Sequence, residues 1–436
     1  MTNSKWIRRA LLGGVAMTVM AAGAQADDLS ALKAQIESLQ ARVNTIEARG
    51  AALPEGVSFL TVARGHKGIK SVNEAEYDIN AAPEGRGMTI AVTPTADLPA
   101  PATEITISGY VRNLAIYLHT NNAGASDNEF RDAARGNVTV KSKTDTAVGQ
   151  IRTTINFRGD FAVDGHGHDT AANVRVALGE WDFMPGWTLK AGHGGQIAAL
   201  TNVSFAGVTT PYGIDSSRHS QLGVHYTGGP LVFGFGIENP TRDVYAAVND
   251  TTTMPDFAAY AQFNAPGGHS LRVVGNIAKV VETNGAGTAV AGHDTGWLFG
   301  VGAKVNAGMF GFNAGFAYSK GMGDSDIING ADYRRLSENG TASTGSLAKV
   351  WGVQANATFG VNEATTLYIG GGYYNYTSTL ALAAMKDHGY KVTGGIAWRP
   401  VSALQVALEG SFGKDTTVGA GSQKAALGAV GFWFFF

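Results

Sequence analysis

Gln150-Ile151-Arg152-Thr153-Thr154-Ile155-Asn156-Phe157-Arg158-Gly159-Asp160-Phe161 changes character at every residue. Ile151, Thr153, Ile155, Phe157 and Phe161 fall on one side of an extended chain, and Arg152, Thr154, Asn156, Arg158 and Asp160 fall on the other. Side chains of a strand alternate between two faces, so this period of two is a strand with one apolar and one wet face. Leu404, Val406, Leu408 and Phe412 oppose Gln405, Ala407, Glu409 and Ser411 in the same way. Trp351, Val353, Ala355, Ala357 and Phe359 oppose Gln354, Asn356 and Thr358, while Phe310, Phe312, Ala314, Phe316 and Tyr318 oppose Gly311, Asn313, Gly315 and Ser319.

Extending this reading from Glu104 onward gives strands at 104–119, 137–144, 150–161, 171–183, 186–194, 217–228, 230–239 and 256–264. It continues at 269–281, 295–306, 309–320, 348–360, 364–377, 388–399, 402–413 and 423–436, sixteen in all. Short turns at 145–149, 184–185, 229, 265–268, 307–308, 361–363 and 400–401 alternate with longer polar loops near 120–136, 195–216, 240–255, 282–294, 321–347 and 378–387. The expected fold is an all-β transmembrane barrel of sixteen antiparallel strands, with short turns at one end and long loops at the other. A soluble sandwich or propeller competes, but it has no need of a near-continuous apolar face on every strand.

Composition narrows the classes further. The 436 residues contain 59 Gly and no Cys; 44% are hydrophobic and 16% charged, and the mean hydropathy is −0.02. Apolar runs of about 18 residues, which helical membrane proteins need, are missing. The hydrophobic content argues against intrinsic disorder. Without cysteine there is no disulfide framework, thiolate zinc site or thiol nucleophile.

The two ends carry their own signals. Lys5, Arg8 and Arg9, an apolar stretch over 10–22 and Ala24-Gln25-Ala26 read as a signal peptide spanning 1–26. Cleavage after Ala26 removes three positive charges and moves the formal net charge from −2 to −5. That mild acidity gives no footprint for a nucleic-acid partner. Leu29, Leu32, Ile36, Leu39, Val43 and Ile46 form an a/d heptad seam, so 27–50 is expected to be a short α-helical coiled coil whose stoichiometry these residues leave open. Residues 51–103, broken by Pro54, Pro83, Pro94, Pro99 and Pro101, read as a linker with one or two short extended pieces. It either remains in the periplasm or folds into a pore. At the other end Val430, Phe432, Phe434 and Phe436 share one face, and a soluble protein would rarely expose them.

That terminal strand resembles those of outer-membrane β-barrel proteins, which end on Phe as an assembly signal. The resemblance implies recognition of the Phe436 strand by a barrel-assembly machinery and placement in the outer membrane of a Gram-negative bacterium, in contact with its lipid. With the signal peptide, coiled coil and linker, the barrel 104–436 resembles the trimeric porins, in particular the DcaP-like group; the alphaproteobacterial porins are the rival family. Ser108-Gly109-Tyr110-Val111-Arg112, Asn173 to Trp181, Trp187 to Gly192 and Arg218 to Tyr226 carry the likeness. It implies a homotrimer, with the coiled coil in the periplasm, and a constriction formed by Gly195 to Ser216. His193-Gly194-Gly195 stands where that group tends to have Gln-Thr-Trp.

A sixteen-stranded barrel leaves an aqueous channel lined by the wet faces of its strands. Those faces offer Arg152, Arg158, Arg175, Lys190, Arg272, Lys304, Lys391 and Arg399, to which Lys141 and Lys143 are added, against Asp160, Glu180, Glu238 and Glu409. Such an excess of fixed positive charge enriches anions in a narrow pore. The expected function is passive diffusion of small hydrophilic solutes, favouring anions such as carboxylates, with no cofactor. Gly192, Gly194 and Gly195 lack the third glycine and following helix of a dinucleotide site. His166, His168 and Asp169 lie in an expected external loop and read as solvated. The alternatives are an outer-membrane tether to the cell wall and an outer-membrane hydrolase.

Overall fold

The computed structural model describes residues 59–65, 86–93, 103–122, 125–162, 173–214, 217–239, 254–283, 289–322, 328, 349–380, 383–417 and 421–436. The expected signal peptide and coiled coil lie outside the described residues, as do His166, His168, Asp169 and most of the linker. The chain divides into two compact units. The larger, Thr61–Ala91 with Pro101–Phe436, holds the barrel; the smaller, Met1–Leu60 with Val92–Ala100, supplies only the ends of two short strands to the described set.

Those short strands are β1 (Phe59–Arg64) and β2 (Met88–Thr93), both inside the expected linker. Gly65 N–H donates to Gly87 O, and the Arg86 guanidinium donates to the Phe435 carbonyl at 3.2 Å.

Sixteen strands follow. β3 (Thr103–Asn122), β4 (Ala125–Thr146), β5 (Gly149–Ala162) and β6 (Asn173–Met184) open the barrel. β7 (Trp187–Gly195), β8 (Arg218–Gly228), β9 (Leu231–Glu238) and β10 (Asp256–Ala265) come next. Then come β11 (His269–Thr283), β12 (Ala289–Ala307), β13 (Phe310–Lys320) and β14 (Lys349–Asn362). The last four are β15 (Thr365–Leu380), β16 (Ala383–Val401), β17 (Leu404–Thr417) and β18 (Gly421–Phe435). Each pairs antiparallel with the next, and β18 pairs with β3, so the sheet closes. Closure leaves no strand edge exposed to hydrocarbon, where an unpaired backbone group would cost several kcal/mol.

All sixteen expected strands are present, and the seven short turns stand at one end. Five of these turns place a glycine in the left-handed region, among them Gly186 (φ 80°) and Gly308 (φ 59°). The expected loops near 120–136, 282–294 and 378–387 are corrected: β3–β4, β11–β12 and β15–β16 run on as paired strands through most of them. Beyond the apolar belt a hairpin is held by its backbone ladder and polar cross-strand contacts such as Tyr117 to Asn128, and shows no hydrophobic alternation to read.

Register assigns the two faces. Phe257, Leu271, Ile277, Phe299, Phe312, Ile369, Leu408 and Phe434 all point outward and are exposed. Aromatic pairs mark both margins of this belt. Near the short turns Trp187 packs on Tyr226 and Phe233, and Phe310 on Phe359; eight residues up β13, Tyr318 packs on Trp297, and Trp351 packs on Tyr373. Eight residues rise about 27 Å along a strand. Strands tilted ~35–45° shorten that height to roughly 19–22 Å, somewhat under the ~25 Å band of outer-membrane barrels.

Candidate functional site

The connection from β7 to β8 does not project from the barrel but folds back inside it. Its sequence explains why: Ile197-Ala198-Ala199-Leu200, Val203 and Ile214 are apolar, and all are buried. They pack against inward residues of the opposite wall, including Tyr260 and Val274, Leu298, Val350, and Tyr374 with Tyr376. These wall residues lie on the face that alternation assigns to water. The lumen along β10–β15 is therefore a packed core, not solvent.

Loop backbone groups, which burial would leave without water, are satisfied by wall side chains. Glu238 on β9 accepts from Ile197 N–H. Arg272 on β11 donates to Ala199 O at 2.6 Å, to Ile197 O at 3.3 Å and to Gln262 at 3.0 Å. Its guanidinium lies 3.8 Å above the Tyr260 ring, and the Tyr260 hydroxyl meets His225 Nδ1 at 3.1 Å. Asn202 reaches Gly302 O on β12, and Asn313 on β13 donates to Ser204 O. Farther on, Phe205 stacks edge-on against Tyr368 of β15. The tip, Val208-Thr209, meets Glu409 on β17, and Lys391 on β16 donates to Thr210 O at 2.9 Å. The return leg passes Tyr212 against Tyr374 and brings Ile214 N–H to Gln354 on β14.

The loop thus follows the wall from β9 to β17. Across from it, β3–β6 present a basic surface. Below the tall β3–β4 hairpin, their inward positions hold Arg112, Arg135, Lys141, Lys143, Arg152, Arg158 and Arg175, against Glu104, Asp145, Asp160, Glu180 and Asp182. Several of these charges pair. Arg135 and Arg158 both bind the Asp160 carboxylate. Arg152 reaches Asp182 at 2.9 Å and Glu180 at 3.6 Å, and Lys143 lies 3.4 Å from Glu104. Arg175 sits where the β5–β6 register shifts, in the field of Arg135 and Arg218, and hydrogen-bonds to no described side chain.

The residues picked from sequence are therefore divided among different tasks. Arg272, Lys391, Glu238 and Glu409 hold the loop, and Arg272, Glu238 and Glu409 are no more than 2% exposed. Lys190 is buried on β7 opposite Glu180. Arg399 donates to Gln405 and lies over the Phe435 ring, and Lys304 is half-buried on β12 opposite Ser270 and Asn313. Arg152, Arg158, Arg175, Lys141, Lys143, Asp160 and Glu180 share the β3–β7 side. Sequence reading missed Arg135, which fell in an expected loop, and Asp182, which stands two residues from a turn. Arg112 shares the inward face of β3 with Tyr110 and Leu114, apolar neighbours that hide it from a polar-face reading.

No protein-family model and no curated protein sequence matches the chain. Among solved structures, the outer membrane channel DcaP of Acinetobacter baumannii superposes with a TM-score of 0.61 at 16% identity, covering 77% of this chain and 97% of that one. The anion-selective porin from Comamonas acidovorans superposes with a TM-score of 0.53 at 14% identity, covering 77% of this chain and all of that one (100%). At such identities the likeness is one of fold, and at that level it meets the resemblance drawn from the sequence layout. The chain has the barrel fold of outer-membrane channels and is similar in fold to DcaP.

Proposed function

We propose that the chain is an outer-membrane porin, a water-filled channel for passive diffusion of small hydrophilic solutes that favours anions such as carboxylates. One observation carries the anion preference: the loop covers the β10–β15 side of the lumen, and the β3–β6 side left beside it holds, below the tall β3–β4 hairpin, seven basic groups against five acidic ones. Fixed charge lining a narrow aqueous path concentrates the opposite ion. Buried Glu238 and Glu409, the acids that would offset this excess, are engaged by loop N–H groups instead. The likeness in fold to an anion-selective porin supports the same reading.

The protein acts, on this proposal, as a homotrimer in the outer membrane of a Gram-negative bacterium. Residues 27–50 form a periplasmic coiled coil, and the Phe436 strand engages the barrel-assembly machinery. Reconstituted in planar bilayers, it should give stepwise conductance, with a reversal potential of anion-selective sign in a KCl gradient. Conductance with a cation-selective sign refutes the selectivity. Ester or lipid hydrolysis without conductance refutes the channel.

A further inference from the structure

The loop tip is bound to the far wall chiefly through one carboxylate, beside the single bond from Lys391 to Thr210 O. Glu409 accepts from Val208 N–H at 2.5 Å, from Thr209 N–H at 2.9 Å and from Thr209 Oγ1 at 2.6 Å, and the Tyr368 hydroxyl donates to it at 3.1 Å. Few other polar contacts hold this part of the loop. The root, by contrast, is held by the Ile197–Leu200 core and by Arg272. From the tip, Val208 reaches the cluster of Tyr110, Leu114, Trp433 and Phe435, which belongs to β3 and β18. Leu114 lies two residues from Arg112, so the tip borders the basic wall.

We infer that Glu409 is the latch that sets the width of the channel: by holding Val208-Thr209 on β17 it fixes the gap between the inward loop and the basic wall. The inference rests on the porin reading. Glu409 is a positioning residue in it and meets no solute. Two backbone N–H groups and a hydroxyl converging on one carboxylate make charge-assisted hydrogen bonds, roughly twice as strong as neutral ones. Removing the acceptor leaves two loop N–H groups without a partner inside the barrel, and they regain partners by moving toward water.

Two readouts test this. In the first, Glu409→Ala, Glu409→Gln and Thr209→Val are compared with wild type in planar bilayers. Glu409→Ala should raise open-channel conductance about 1.5- to 2-fold, since current scales with the open section of a charged pore, and should weaken ion selectivity. Glu409→Gln, which keeps one acceptor oxygen, and Thr209→Val, which removes one donor from the loop side, should fall between. In the second, the absence of native cysteine allows Val208→Cys to serve as a unique thiol. Its labelling by a water-soluble maleimide should accelerate roughly two- to tenfold when Glu409→Ala is added, the effect of losing one net hydrogen bond.

Unchanged labelling and unchanged conductance in both Glu409→Ala and Thr209→Val would overturn the latch while leaving the porin intact. Labelling accelerated by Glu409→Ala, in a protein whose wild type does not conduct, would uphold the latch as a loop tether and overturn the porin reading. If Glu409→Ala fails to assemble, Thr209→Val alone decides, because its change lies on the loop and leaves every wall strand untouched.

Discussion

Asp160 and Arg175 lie on neighbouring strands of the basic wall in opposite circumstances. Asp160 is shared by two guanidiniums at ion-pair distance, whereas Arg175 forms no ion pair among the described residues and feels Asp160 only at longer range. Asp160→Asn should release Arg135 and Arg158 and move the reversal potential toward stronger anion selectivity. Arg175→Ala should move it the other way, and equal or same-signed shifts would contradict this assignment. Arg272 belongs to a different class. Arg272→Met removes donors from two loop carbonyls and from Gln262, each worth about 1–3 kcal/mol when buried and unpaired. It should lower the barrel's unfolding temperature in detergent with little change in the sign of selectivity. Alternation in the sequence put Arg152, Arg158, Glu409 and Arg272 on the face of their strands that points into the barrel. It could not separate the charges that meet water from those that hold a loop, because that depends on which segment covers them.

Among the elements, the inward loop shapes the lumen more than any strand. Gly372 on β15 shows how closely it lies: a Cβ there would overlap the Tyr212 carbonyl oxygen, and one on Gly352 would meet the Gly213 backbone. Gly372→Ala should displace the return leg and change conductance while the barrel still assembles. Gly136→Ala on β4, where a Cβ meets open space, should change neither. A conductance change in Gly136→Ala alone would count against this picture. The loop's inward position was implied by the family resemblance alone. Its packing was not legible, since Val274, Leu298 and Val350 stand on inward positions that period-two reading assigns to solvent. Strand existence was far more legible than strand length. Lipid imposes alternation only within the belt, so the tall β3–β4 and β15–β16 hairpins read as loops beyond it.

Closure joins the two ends of the barrel. Gly109 and Phe436 exchange both backbone hydrogen bonds, and Trp433 and Phe435 turn inward beside Tyr110 while Phe432 and Phe434 face out. Deleting Phe436 removes both bonds at the seam and exposes the β3 backbone, so the yield of heat-modifiable barrel on semi-native gels should fall severalfold. Undiminished assembly would contradict a role for the terminal residue. The sequence composition also finds its explanation at this scale. Apolar residues turn to lipid and into the loop core and polar ones to the β3–β6 wall, so their hydropathies cancel near zero.

The measurement that bears most directly on the whole account is single-channel recording of the purified protein in a KCl gradient, with the reversal potential read from each insertion. A barrel whose lumen is filled along β10–β15 and basic along β3–β6 should conduct with an anion-selective reversal potential that Arg175→Ala reduces. A cation-selective sign, or a folded barrel that carries no current, would contradict it.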